Sequence, residues 1–207
     1  ADVFEELDDH HQVEFLDERS DAEIAAVLGR MASDDAADLV AELDESRRED
    51  VIARVPPHAR AKIRTLLGFD PAQAGGLMST EFICVYRQAT ADEALVRIRR
   101  GDVPDDLLTT IFVMDTKRRL QGSVPIAALV RADPQAPVAE LMGPSPQRLA
   151  PDAELEEVAR LMADFNLTSV AVVDGEEQMI GVITVDDVLE TMLPKGWRRR
   201  FGLLGDE

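Results

Sequence analysis

The chain has 207 residues, 45% of them hydrophobic, with 41 acidic against 22 basic side chains and a net charge of −19. That hydrophobic content supports two or three folded units, while the acidic balance lacks the basic face that phosphate backbones require and argues against nucleic acid as a partner. No apolar run approaches the roughly 18–20 residues that cross a bilayer. A single cysteine, Cys84, has no disulfide partner in the chain and points to a reducing, cytoplasmic compartment.

The charge is unevenly distributed. Residues 1–67 hold 18 acids and 8 bases, net −10; residues 68–130 hold 8 and 7, net −1; residues 131–193 hold 13 and 3, net −10; and residues 194–207 hold 2 and 4, net +2. Two acidic blocks therefore flank a nearly neutral one. Solubility alone accounts for such blocks. If they face each other they also repel, since two carboxylates about 4 Å apart interact by about 4 kcal/mol at an effective dielectric near 20, and cations between them would offset that repulsion.

From residue 20 a twelve-residue pattern runs four times, in blocks 20–31, 32–43, 44–55 and 56–67. The eighth place holds Val27, Leu39, Val51 and Ile63; the twelfth holds Met31, Leu43, Val55 and Leu67. An i,i+4 apolar pair recurring with polar or proline starts predicts short amphipathic helices that must stack to bury their stripes. Ser20 with Glu23 reads as a capping box, Ser33-Asp34-Asp35 as the start of the second helix, and Pro56-Pro57 as the first turn of the fourth. Gly75-Gly76 marks the expected boundary, giving a helical domain over residues 1–76.

A second, unrelated repeat fills residues 77–193. Strands are expected near 82–86, 110–114 and 120–124, with helices at 91–100 and from Pro125; the second copy gives a helix at 153–165, strands at 169–173 and 178–183, and a closing helix near Thr184. Leu77-Met78 matches Leu141-Met142, Asp115 matches Asp174, and Gly122 matches Gly181. The order β-α-β-β-α occurs twice, and each apolar strand pair needs the other copy's layer to cover it. The fold class is α+β, with expected units 77–136 and 137–193 and a basic tail at 194–207.

The stretch Gly181-Val182-Ile183-Thr184-Val185-Asp186-Asp187 resembles the closing signature of a CBS domain, and the pair resembles a Bateman module. With Ser33-Asp34-Asp35-Ala36-Ala37-Asp38-Leu39, Ala74-Gly75-Gly76-Leu77-Met78-Ser79 and Leu161-Met162-Ala163-Asp164, the chain is similar over about residues 12–193 to the cytosolic part of MgtE-type magnesium channels. The resemblance implies an α-helical superhelical domain before a tandem CBS module, dimerising through the CBS pair, closing around Mg²⁺ (other divalent cations being possible ligands) at the cytoplasmic face of the membrane and shutting an attached pore. It places metal contacts on Asp34, Asp38, Gly76, Glu156, Asp187 and Glu190. Helix capping is the competing reading of Asp34 and Asp187. Asn166 stands where the family can carry an acid, so one metal site is expected to be weakened or absent.

CBS pairs also hold adenosine nucleotides through the Thr and Asp of that signature, here Thr184 and Asp187. The first copy has Pro125 and Ala128 in the equivalent places, and neither can bond a ribose. The rival readings are thus a nucleotide-responsive CBS adaptor without its own pore, and a scaffold whose acidic faces serve solubility. No catalytic constellation is found: His10 and His11 are adjacent and diverge on a helix, His58 reads as an exposed first-turn residue, Cys84 reads as core, and Gly75-Gly76 lacks the Lys-Ser/Thr of a phosphate loop. The break at Leu193-Pro194 and the basic Arg198-Arg199-Arg200 leave three readings of the tail: membrane contact, contact with an acidic block, or disorder. Both an excised piece of a transporter and a pore-free relative fit the chain's ends.

Overall fold

The computed structural model describes Leu16 and residues 19–101, 103–105, 107–143 and 146–193. His10, His11 and the tail from Pro194 lie outside them. Two compact units are present, one running to Pro71 and taking in the chain from Leu189, the other spanning Ala72–Val188.

In the first unit each twelve-residue block is one helix: α1 (Asp21–Leu28), α2 (Ser33–Ala41), α3 (Glu45–Arg54) and α4 (Pro57–Leu66). Helices of eight to ten residues are too short to persist alone, and they stack alternately, α1 on α3 and α2 on α4. The repeat's eighth and twelfth places supply Leu39, Leu43, Val51, Val55 and Ile63 to one buried cluster, joined by Ile24, Leu28, Val40, Ile52 and Leu16. The Ser20–Glu23 capping box forms, with Ser20 N donating to Glu23 Oε2 at 3.0 Å. In the third and fourth blocks the fifth place, Ile24 and Ala36 earlier, becomes Arg48 and Arg60. Arg48 Nε donates to Val40 O at 3.1 Å and its Nη2 to Ala41 O at 2.7 Å, while Arg60 Nη2 donates to Val55 O at 2.9 Å. These guanidinium groups satisfy carbonyls that the ends of α2 and α3 leave open.

The second unit opens with a single helical turn, α5 (Ala74–Leu77), so Gly75-Gly76 lies within a turn of this unit. There follow β1 (Cys84–Tyr86), α6 (Ala91–Arg100), β2 (Thr110–Met114), β3 (Leu120–Pro125), α7 (Ile126–Arg131) and α8 (Val138–Leu141), then β4 (Arg148–Leu149), α9 (Leu155–Phe165), β5 (Ser169–Val173), β6 (Met179–Thr184) and α10 (Val185–Met192). The expected β-α-β-β-α order is present twice. Each sheet has three strands, the outer pairing parallel and the hairpin antiparallel, and the two agree to the residue: Val113 faces Gly122 and Val172 faces Gly181, with a register shift directly after each. The hairpin turns match as well. Asp115 Oδ1 accepts from Lys117 N and Arg119 N at 2.8 and 3.0 Å, and Asp174 Oδ1 from Glu176 N and Gln178 N at 2.9 Å each, which fixes the left-handed Arg118 and Glu177 at φ 65°.

The copies cover one another. Cys84, Phe112 and Leu120 of the first share a core with Ala171, Val173, Met179 and Val182 of the second. Burial pushes the Cys84 thiol up to about 12, outweighing Arg97 and Arg118, as a core residue requires. Each copy's leading methionine also crosses to the other: Met78 packs against Gly181 and Met142 against Gly122. A Cβ on Gly181 would meet Met78 Cγ at 2.6 Å and its Cβ at 2.9 Å, whereas one on Gly122 meets Met142 Cγ at 3.0 Å and Cβ at 3.3 Å. Met78 is 0% exposed and cannot retreat; Met142 is only part-buried. Gly181→Ala should therefore lower unfolding stability by about 1–3 kcal/mol and Gly122→Ala by less, an ordering that chemical denaturation of the two variants checks.

Candidate metal centre

Helix α2 begins at Ser33, one residue earlier than a serine cap would place it, and Ser33 is 3% exposed. The N-cap position falls on Ala32, with no side-chain cap bond. Asp34 is thus the second residue of the helix rather than its cap. Asp34 and Asp38 lie one turn apart on one face, and Asp34 Oδ1 is withdrawn from solvent.

Asp38 carries the clearest electrostatic signal. Its pKa is pushed up to about 6, first by desolvation, then by the charges of Glu42 and Glu190. Its accessible surface nonetheless counts it as exposed. Both hold for a recessed carboxylate that protein crowds from the sides while one face stays open to water. Glu42 is four residues on and caps the carbonyl end of α2, where a negative charge is unfavourable in its own right. Sequence reading missed Glu42, although its i,i+4 spacing from Asp38 was available. Glu190, near the end of α10, falls in the same unit as Asp38.

The other expected residues lie in the second unit. Gly76 sits in α5, whose Ala74 N donates to Ala153 O and Gly75 N to Pro151 O, both at 2.8 Å; Gln73 Nε2 reaches Glu154 Oε1 at 3.0 Å. These bonds fasten Gly76 beside the first turn of α9, which carries Glu156 on its exposed surface. Asp187 lies in the first turn of α10, and its Oδ2 accepts from Thr184 N at 3.2 Å and from the Thr184 hydroxyl. The capping role expected as an alternative for Asp187 is therefore real. That bond joins the two groups a ribose would need, and Thr184 is 2% exposed. Asn166 is the C-cap of α9 in the left-handed region, φ 51°, a position that favours Asn over an acid-bearing helix continuation.

Among the described residues, no group of three or more His, Cys, Asp and Glu converges tightly enough to hold a metal ion. Mg²⁺ commonly retains several waters and takes only one or two carboxylates directly. All the side chains brought forward here are hard oxygen donors suited to it, and Gly76 can offer only its backbone carbonyl.

Residues 1–72 match the model of the MgtE intracellular N domain, and residues 74–134 and 138–194 each match the CBS domain. A solved cytosolic domain of the Mg²⁺ channel MgtE, in complex with ATP, superposes with a TM-score of 0.85 at 34% identity, over 92% of this chain and 78% of that one. The chain belongs to the MgtE family. The magnesium transporter MgtE of Thermus thermophilus is 35% identical over 198 residues, which are 93% of this chain and 43% of that protein; this chain thus spans less than half of that MgtE. The soluble part of another magnesium transporter shares the fold, with a TM-score of 0.81 at 22% identity, over 89% of this chain and 72% of that one. No described helix is long and apolar enough to cross a membrane.

Because Asp187 braces the N–H and hydroxyl of Thr184, Asp187→Ala should destabilise the metal-free protein by about 1 kcal/mol. Asp187→Asn, which keeps an acceptor, should cost less. Melting curves of both variants in EDTA check this ordering.

Proposed function

We propose that the chain is the cytosolic Mg²⁺-sensing regulatory region of an MgtE-type transporter, in which Mg²⁺ binds between acidic faces of the helical domain and the second CBS copy and gates ion transport through an attached pore. Asp34, Asp38 and Glu190 would serve from one unit and Gly76, Glu156 and Asp187 from the other. The bound ion supplies positive charge that lets these carboxylates approach. The observation that carries this reading is the elevated pKa of Asp38, a group surrounded by carboxylates and still reachable by solvent. Hydrated, shared sites are individually weak, as sensing an abundant ion requires, and they couple occupancy to domain closure.

A homodimer through the CBS pair belongs to the same proposal. Val158, Met162 and Val188 are buried within their own chain, while Phe165, Leu189 and Met192 are exposed at 54%, 56% and 53% and offer apolar surface for such a contact. A second reading, adenosine-nucleotide binding at Thr184 and Asp187, is favoured by the ATP complex of the 34%-identical MgtE cytosolic domain. Here it would have to open the Thr184–Asp187 bond in an acidic setting. Titration calorimetry with ATP in EDTA, and separately with MgCl₂ alone, separates the two.

The sign of the pH effect follows from Asp38. Its folded pKa, about 6, lies above the ordinary value of 3.8, so folding takes up a proton between those values and stability falls as pH rises through them. Because Asp38 is open to solvent, screening limits the effect to about 1 kcal/mol. In EDTA, Asp38→Asn should flatten this slope and be the more stable protein at pH 7, while its Mg²⁺ response weakens. Wild-type Mg²⁺ affinity should decline below about pH 6 as protons compete. Parallel pH–stability profiles for wild type and Asp38→Asn would contradict the assignment.

MgCl₂ should also raise the melting temperature well beyond NaCl at matched ionic strength, because binding to the closed state alone adds about 1.4 kcal/mol per site at ten times Kd. Equal rises from the two salts would reduce the effect to screening.

A further inference from the structure

Residues 73–79 follow the helical unit and lead into the first CBS copy, yet they are fastened to the second. Ala74 N and Gly75 N donate to Ala153 O and Pro151 O. Ser79 and Val182 exchange two backbone bonds, Ser79 N to Val182 O at 2.8 Å and Val182 N to Ser79 O at 2.9 Å. Met78, fully buried, fills the space that Gly181 leaves by having no Cβ. The strap therefore touches the segments that lead into each element carrying an expected metal position of this unit. Gly76 is in the strap; Glu156 is three residues beyond Ala153; and Val182 lies in β6, which ends at Thr184, whose N–H and hydroxyl bind Asp187.

We infer that Met78 and Ser79 are positioning residues for this half of the metal site. They hold Gly76, the first turn of α9 and the Thr184–Asp187 bond in one frame before the ion arrives, so less ordering is left for binding to supply. This rests on the proposed function and deepens it. The molecule supplies its own control. In the first copy Met142 packs on Gly122, Val138 N donates to Ala89 O at 2.8 Å and Gly143 N to Ser123 O at 3.4 Å, but the residues equivalent to Thr184 and Asp187 are Pro125 and Ala128. The same latch there serves none of the expected metal positions and no Thr–Asp pair.

The test compares Met78→Ala, Met78→Leu and Met142→Ala in the full 207-residue chain, reading the melting temperature in EDTA and the MgCl₂ midpoint for protection against limited proteolysis. Both alanine variants should melt earlier than wild type. Only Met78→Ala should shift the Mg²⁺ midpoint upward, by about tenfold, and Met78→Leu, which refills the notch, should return it towards wild type. Equal midpoint shifts for Met78→Ala and Met142→Ala, or an unshifted midpoint in folded Met78→Ala, would overturn the inference while leaving the sensor reading intact. If Met78→Ala does not fold, the milder pair Met78→Val and Met142→Val decides in its place: a midpoint raised in Met78→Val alone supports positioning, and equal or unmoved midpoints overturn it. A wild-type chain with no Mg²⁺ midpoint would refute the sensor reading itself, and this inference with it.

Discussion

Like charge held in a recess is the constraint on which the functional account turns. Desolvation is the larger cause of the raised Asp38 pKa, and the charges of Glu42 from its own helix and Glu190 from α10 add to it. Neither acid partner can relieve the other, so the local free energy falls when a proton or a cation enters. At neutral pH protons are scarce and Mg²⁺ is the hard cation whose preference for oxygen ligands and retained water fits an open-faced site. The recess is thus poised by desolvation and like charge together, and the helix that spaces Asp38 from Glu42 sets part of that repulsion.

The CBS pair contributes through a symmetry that is kept in the backbone and abandoned in the chemistry. Sheet order, register shift, Asx-braced hairpin and the methionine-on-glycine contact recur in both copies. At the end of the hairpin the copies part: β3 closes on Pro125 with Ala128 in the next helix, while β6 closes on Thr184 bonded to Asp187. The charge divides in the same sense, with a net −1 over residues 68–130 and −10 over residues 131–193.

What the residues announced in advance was whatever depends on local spacing. The twelve-residue period located four helices because each must present an i,i+4 stripe, and paired apolar runs repeated in both copies located the hairpins. The capping alternative for Asp34 fails because α2 begins one residue before it, at the buried Ser33, a burial that spacing does not reveal. Arg48 and Arg60 bear no mark in the sequence of the helix-end carbonyls they bind. The largest gap was the crossing of Met78 and Met142: their pairing with Gly181 and Gly122 was visible as two repeated landmarks, but which copy each methionine serves depends on contacts more than a hundred residues apart in one case. For the candidate site, the identities of the acids came from motif resemblance, whereas the reason Asp38 differs from the chain's many other carboxylates came only from its surroundings.

The most direct measurement is anomalous diffraction from crystals of the chain in MnCl₂, with Mn²⁺ as an octahedral, oxygen-seeking probe of the Mg²⁺ position. The account predicts an anomalous peak beside the Asp38 and Glu190 carboxylates that is lost in Asp38→Asn. Peaks confined to other acids, with none at Asp38 and with Asp38→Asn binding as wild type does, would contradict it.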